Sequence, residues 1–252
     1  MLYCYFSPCI AATNFLLCAT GFLQWQTAQG FQKSACAGQL SSSEQLYGAG
    51  LRDSLIGVFM KKKIIVAITG ATGSIYGIRL LEMLNNIVDV ETHLILSPTG
   101  ALTAHAETDW DKQSILNLAD VVHKPKDLGA TLSSGSFITH GMVIAPCSMK
   151  TLGSIASGVT DNLVARAADV VLKERRRLIL MVRETPLNLV HLRNMTTLAE
   201  MGAIIAPPVP SYYTRPETID DIVNQTVGRM LDLLDIPSNS LIKRWEGLQE
   251  ST

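Results

Sequence analysis

Five places in this sequence carry groups that bind anions or move protons, and each follows an apolar, strand-like run. They are Gly70-Ala71-Thr72-Gly73-Ser74, Ser97, the stretch "PCSMKT" at 146–151, Arg183-Glu184-Thr185-Pro186, and "PPVPSYYTRP" at 207–216. Short hydroxyl-rich turns ahead of helix starts offer backbone N–H groups to an anion, and two of the five are of this kind. Arg183 brings a planar guanidinium that grips phosphate oxygens in pairs. Glu184, beside it, reads either as a carboxyl that exchanges a proton or as the partner of a simple ion pair with a neighbouring Arg. Arg166 and Lys173 are seven residues apart, two helical turns, and so share a helix face. With the "KERRR" run next to them, these two read on their own as a solvated face.

The elements that must hold these groups follow from hydrophobic periodicity. Continuous β-branched or apolar runs at 64–69, 90–96, 141–145, 178–182 and 203–206 predict strands covered on both faces. Between them, residues 74–85 have helical spacing, with Ile75, Ile78, Leu81 and Leu84 on one face. Helices are also predicted over 99–107, 114–119, 151–157, 162–176, 189–201 and 218–234. Strands alternating with helices predict an α/β fold, a flavodoxin-like or Rossmann-like three-layer sandwich around a mostly parallel sheet. Ligands of such sheets sit outside the carboxyl ends of the strands, where the five polar places fall.

Composition narrows the function. The 252 residues are 47% hydrophobic and 17% charged with a net charge of −1, which gives no electrostatic case for nucleic acid as the partner. No apolar run within the α/β part is long enough to span a bilayer. Of the five cysteines, Cys4, Cys9, Cys18 and Cys36 precede the α/β part, and no pair has C-x-x-C spacing. Reduced thiols in a cytoplasmic protein are expected. Cys147 reads as a small buried residue. The five histidines show no metal-ligand spacing, and His191 is expected to cap or pack a helix.

Residues 1–59 differ in character from the rest. The first 30 are apolar and uncharged, which fits neither a secretory signal nor a mitochondrial presequence, and 35–50 read as a linker. The expectation is a domain over 60–252 that begins functionally at Met60, with 1–59 an extension without its own fold. A membrane-associating or targeting segment is the alternative.

"TGATGSIYG" resembles the cofactor turn of NAD(P)-dependent short-chain reductases, but the match fails three times. Tyr76 stands where the last glycine belongs. The second strand ends in Ser97, without a carboxylate for a ribose hydroxyl, and no Y-x-x-x-K pair follows. A small-residue turn without a ribose carboxylate suits a mononucleotide such as FMN.

Taken together, residues 61–247 resemble the UbiX-type flavin prenyltransferases. The carrying motifs are "AITGATGSIYGIRLLE" (67–82), "ETD" (107–109), "PCSMKTLGSIASG" (146–158), "DNLVARAADVVLKERRRLILMVRETP" (161–186), "HLRNM" (191–195), "GAIIAPPVPSYYTRP" (202–216) and "RW" (244–245). The resemblance implies a metal-independent transferase that moves a dimethylallyl group from dimethylallyl phosphate to reduced FMN, first at N5 and then by ring closure at C6. It further implies a dodecamer and a UbiD-type decarboxylase that takes up the prenylated FMN. FMN contacts carry over to Gly70, Ala71, Thr72, Ser97, Ser148, Met149, Lys150, Thr151 and Arg183. Tyr213 and Arg229 are implied to hold the prenyl phosphate, with Lys173 and Arg166 as further cations and Glu184 in an acid–base role. Glu107 and Trp245 also fall on site positions, though a C-terminal anchor packed on a neighbouring subunit is a second reading for Trp245. Many relatives have Ser where this chain has Thr72. A flavoprotein that decarboxylates a peptidyl cysteine is a competing reading, but such enzymes use a catalytic His and an Asn-rich loop where this chain has "PCSMKT". A flavin carrier is another, and it has no need of a leaving-group site.

Overall fold

The computed structural model describes residues 61–238 and 242–247. The expected extension over 1–59 and the start at Met60 lie outside the described residues. Among the described residues, six strands form one parallel sheet: β1 (Lys62–Ile68), β2 (Val90–Leu96), β3 (Val121–His123), β4 (Gly141–Cys147), β5 (Arg177–Val182) and β6 (Ile204–Ile205). Their order is β3-β2-β1-β4-β5-β6. Without the short edge strand β3 this is the flavodoxin order, and with it the Rossmann order.

Alternate residues of β1 enter opposite layers, as the period of two requires. Ile64, Val66 and Ile68 pack with α1 (Ser74–Asn85), α2 (Pro98–Glu107), α3 (Lys112–Leu116) and α7 (Ile219–Leu233). Ile65 and Ala67 pack with α4 (Met149–Ala156), α5 (Leu163–Lys173) and α6 (Leu189–Glu200). The strand-like runs expected at five places are present, and no helix of the described residues is long and apolar enough to cross a membrane. β3 was not anticipated, because three residues are too few to show alternation.

Two glycines shape the entry to α1, one by close approach and one by its backbone conformation. A Cβ on Gly77 would lie 2.2 Å from the Ala145 carbonyl oxygen and 2.7 Å from Ile68 Cγ1. The glycine that stands one residue late for a dinucleotide turn therefore lets α1 lie against β1 and β4. Gly73 adopts φ 91°, a left-handed conformation that turns the chain into α1.

Candidate functional site

The carboxyl edge of the sheet gathers three helix N-termini. Ser97 caps α2 by accepting from Gly100 N at 2.9 Å, and Ser148 caps α4 by accepting from Thr151 N at 3.3 Å. Thr69, buried at the end of β1, ties the first and third of these turns together. Its hydroxyl donates to Pro146 O at 2.7 Å and accepts from Ser148 N at 2.9 Å. Gly70 is held against Thr99, whose Cβ would be 2.5 Å from any Cβ added there. The amides of Met149 and Lys150 open α4 and have no carbonyl partner within the helix, a ready anion site.

The N-terminus of α1 is used differently from what the glycine turn suggested. It holds a carboxylate of this chain. Glu107 Oε2 accepts from Gly73 N at 2.9 Å, Ser74 N at 3.2 Å and Ser74 Oγ at 2.9 Å. Burial works against the charged form, but hydrogen bonds from Thr72, Gly73 and Ser74 hold the carboxyl below its usual range. A phosphate dianion has no place where a carboxylate already takes the same donors.

Arg183 leaves the end of β5 exposed, and its backbone N–H donates to Cys147 O at 3.3 Å. Burial pushes the Tyr76 phenol pKa up, while the charge of Arg183 pulls it down. That coupling puts the guanidinium within electrostatic reach of the α1 turn. Glu184 is exposed, its carboxylate accepts from Thr185 N at 3.1 Å, and none of the ion pairs among the described residues includes it. Cys147 is buried in the apolar layer, which pushes its thiol up to about 12 and leaves it inert as a nucleophile. His191 closes a capping box with Asn188 at the start of α6.

The remaining expected site residues lie elsewhere in the subunit. On α5, Arg166 donates to Ser133 O at 3.1 and 3.2 Å and pairs with Asp169 at 2.8 Å. Lys173 ends the same helix, paired with Glu174, close to Arg177 where β5 begins. It is therefore at the amino edge of the sheet, whereas Arg183 is at the carboxyl edge. Tyr213 and Arg229 belong to the opposite layer. Tyr213 meets Trp245 edge-on with ring centroids 5.6 Å apart, and Arg229, on α7, pairs with Asp232 at 2.8 Å. One subunit thus joins Gly70–Ser74, Ser97, Ser148–Thr151, Arg183 and Glu107 but separates Arg166 and Lys173 from Tyr213 and Arg229. Sequence reasoning missed Thr69 and gave Ser74, though it named it in the turn, no role of its own; a hydroxyl directly before the first glycine was the visible signal for Thr69.

A family model described as Flavoprotein matches residues 58–231. The flavin prenyltransferase UbiX of Escherichia coli K12 is 54% identical over 187 residues, covering 74% of this chain and 99% of that protein. The mitochondrial flavin prenyltransferase PAD1 of Saccharomyces cerevisiae is 50% identical over 188 residues, covering 75% of this chain and 77% of that protein. A crystal structure of AnUbiX (PadA1) in complex with FMN and dimethylallyl pyrophosphate superposes with a TM-score of 0.73 at 49% identity, covering 75% of this chain and 100% of that one. A dodecameric FMN-dependent UbiX-like decarboxylase from Escherichia coli O157:H7 gives 0.72 at 49% identity, covering 73% and 100%. On the strength of this identity and of a sheet edge built to hold a mononucleotide, the chain belongs to the UbiX family of flavin prenyltransferases.

Proposed function

We propose that this enzyme transfers a dimethylallyl group from dimethylallyl phosphate to reduced FMN, and that its product serves a UbiD-type decarboxylase. The observation that carries the reading is the carboxyl edge itself, where three capped helix N-termini and Arg183 surround a turn with no ribose carboxylate. This donor set fits a single flavin mononucleotide. Because Glu107 occupies the N-terminus of α1, the FMN phosphate is assigned to α4, to the amides of Met149 and Lys150 and the hydroxyls of Ser148 and Thr151. The flavin then extends past Gly70, Ala71 and Thr72, with Ser97 and Arg183 along its length.

Reduced flavin would supply the nucleophile: N5 bonds to the allylic carbon as the C–O bond breaks and the N5–H proton leaves with the phosphate, and the fourth ring closes when the prenyl C=C takes a proton at its CH carbon, C6 bonds to the dimethyl-bearing carbon and the C6 proton is released. The protein's part is to hold the leaving phosphate and accept that proton. Tyr213, Arg229, Lys173 and Arg166 are the groups for the phosphate, whose charge grows as the C–O bond breaks. Glu184, exposed at the strand end and outside any ion pair among the described residues, is the base. Glu107 stays a site residue through its hold on the turn, and Trp245 lines the prenyl side with Tyr213.

The four phosphate groups lie in opposite layers of one subunit, so the site requires groups from more than one copy. The dodecameric relative supports that assembly. A cytoplasmic location goes with the same reading. The deciding experiment is anaerobic incubation with reduced FMN and either dimethylallyl phosphate or the pyrophosphate, read by mass spectrometry. The expected result is a flavin heavier by one C5 unit, with phosphate released. Unchanged FMN with both donors would overturn the reading.

A further inference from the structure

Each of the two α7-side residues assigned to the prenyl phosphate is bonded to an α7 side chain that also grips the C-terminal segment. Gln225 is only 6% exposed. Its Nε2 donates to the Tyr213 hydroxyl at 3.3 Å and to Lys243 O at 3.1 Å, and its Oε1 accepts from Lys243 N at 3.0 Å. The side-chain amide thus pairs with the Lys243 backbone as a neighbouring strand would. Seven residues on, along the same stripe of α7, Asp232 accepts from Arg229 Nη1 at 2.8 Å. The same carboxylate accepts from Arg244 Nη1 at 3.1 Å and Nη2 at 3.0 Å, and from Ser238 Oγ at 3.1 Å. Between these two grips, Gly228 makes room for Ile242: a Cβ at Gly228 would lie 2.2 Å from Ile242 Cγ2. Trp245 then falls edge-on to Tyr213.

A buried carboxamide is costly unless its donors and acceptor are satisfied, and Gln225 is satisfied only when Lys243 and Tyr213 are both in place. Arg229 spends one of its five donors on Asp232 and keeps the rest of its fork for a ligand. We propose that Gln225 and Asp232 are positioning residues for the prenyl phosphate, aiming the Tyr213 hydroxyl and the Arg229 guanidinium by clamping residues 242–245 along α7. The inference rests on the assignment of Tyr213 and Arg229 made under Proposed function.

The test uses the full-length oligomer under anaerobic conditions with reduced FMN and varied dimethylallyl phosphate. Gln225→Met removes the hydrogen bonds at nearly constant volume. It is expected to raise the KM for the donor about tenfold, one hydrogen-bonded contact's worth, with kcat and FMN affinity within about twofold. Trp245 fluorescence should change with it. In a Tyr213→Phe background the same substitution should add less than about a twofold rise. Arg244→Gln changes an exposed side chain, so the fold should be retained; it should raise the KM about threefold, and it decides the matter if Gln225→Met fails to fold. Wild-type KM in both variants, or a Gln225→Met effect undiminished in the Tyr213→Phe background, overturns the positioning role. Wild-type KM in Tyr213→Phe and Arg229→Gln instead overturns the site assignment beneath it.

Discussion

The carboxylate of Glu107, the last residue of α2, caps Ser74, the first residue of α1, accepting from both its amide and its hydroxyl. An acidic side chain 33 residues away in sequence thus serves the orphan amides and positive end of α1. Removing it is expected to loosen the turn that faces the flavin. Glu107→Ala should lower stability to urea by about 1 kcal/mol, the value of a lost helix cap, and weaken FMN binding measurably. Thr72→Ser keeps the hydroxyl that helps hold the Glu107 carboxyl charged and should behave as wild type, whereas Thr72→Val should move part of the way to Glu107→Ala. The sign with pH follows from the depressed pKa. This contribution is fully present above the ordinary carboxylate range and is lost as pH falls through the lower folded-state value.

Glu184→Gln separates chemistry from binding. The side chain is exposed and accepts only a local hydrogen bond, from Thr185 N, among the described residues, so folding and FMN affinity should be unchanged. Turnover should fall by about 10²–10⁴-fold, the usual worth of a positioned acid–base group. Single-turnover mass spectrometry checks it, and wild-type turnover would remove Glu184 from the mechanism.

Subunit mixing tests the division of the phosphate groups between layers. Lys173→Met and Glu184→Gln should each be inactive as homo-oligomers. Co-assembled from the mixed unfolded chains, they should regain activity if a Lys173 of one copy serves a site holding Glu184 of another. The geometry favours this outcome, because Lys173 is at the amino edge of its own sheet and Glu184 follows the carboxyl edge. No recovery would place both groups in the site of a single chain.

Gly77→Ala tests why the third glycine falls where it does. The added methyl would meet a carbonyl oxygen at 2.2 Å, so α1 must lift from β4. The expected loss is about 1–3 kcal/mol, as for other overpacked sites, together with weaker FMN binding because the turn moves with the helix. Gly158→Ala is the control. Its φ of 66° costs about 1 kcal/mol, but nothing lies within 4 Å of the new methyl, and FMN affinity should stay unchanged.

Much of this was legible in the residues. The apolar, β-branched runs located five of the strands because strands packed under helices need apolar side chains, and the polar groups after them gather at the carboxyl edge of the sheet. Gly77 was legible only as a broken motif, since the carbonyl it approaches belongs to Ala145, far away in sequence. Likewise the partner of the α1 turn is a glutamate on another helix, and no local pattern announces it. Gln225 and Asp232 look like ordinary polar positions of an amphipathic helix until the C-terminal segment is seen to lie on them. Arg166 and Lys173 were correctly placed on one helix face, but which copy's site that face serves is a property of assembly and leaves no periodicity.

The pH dependence of folding should report a second, separate cluster. His93, on β2 and 2% exposed, shares its Nδ1 with His123 Nε2 at 2.9 Å and its Nε2 with Glu91 at 2.9 Å. Phe137 closes on it edge-on, and Lys63 lies over that ring. Burial holds the His93 pKa below the ordinary imidazole value, and Lys63 adds to this, against the opposite pull of Glu91 and Asp120. Burial does the same to His123, helped by His93 and opposed by Asp127. A histidine whose folded-state pKa is depressed binds its proton more readily when unfolded, so stability rises with pH across that interval. The urea midpoint should therefore be level above about pH 7 and fall as pH drops through about 6.5, the unfolded-state value, toward the lower folded-state values. Because His123 joins β3 to the sheet through this pair, the loss should begin at that edge, with early hydrogen exchange in 121–123. His93→Gln, neutral at every pH, should flatten the profile between pH 5 and 7 at some loss of stability. A profile unchanged by that substitution would assign the dependence to other groups.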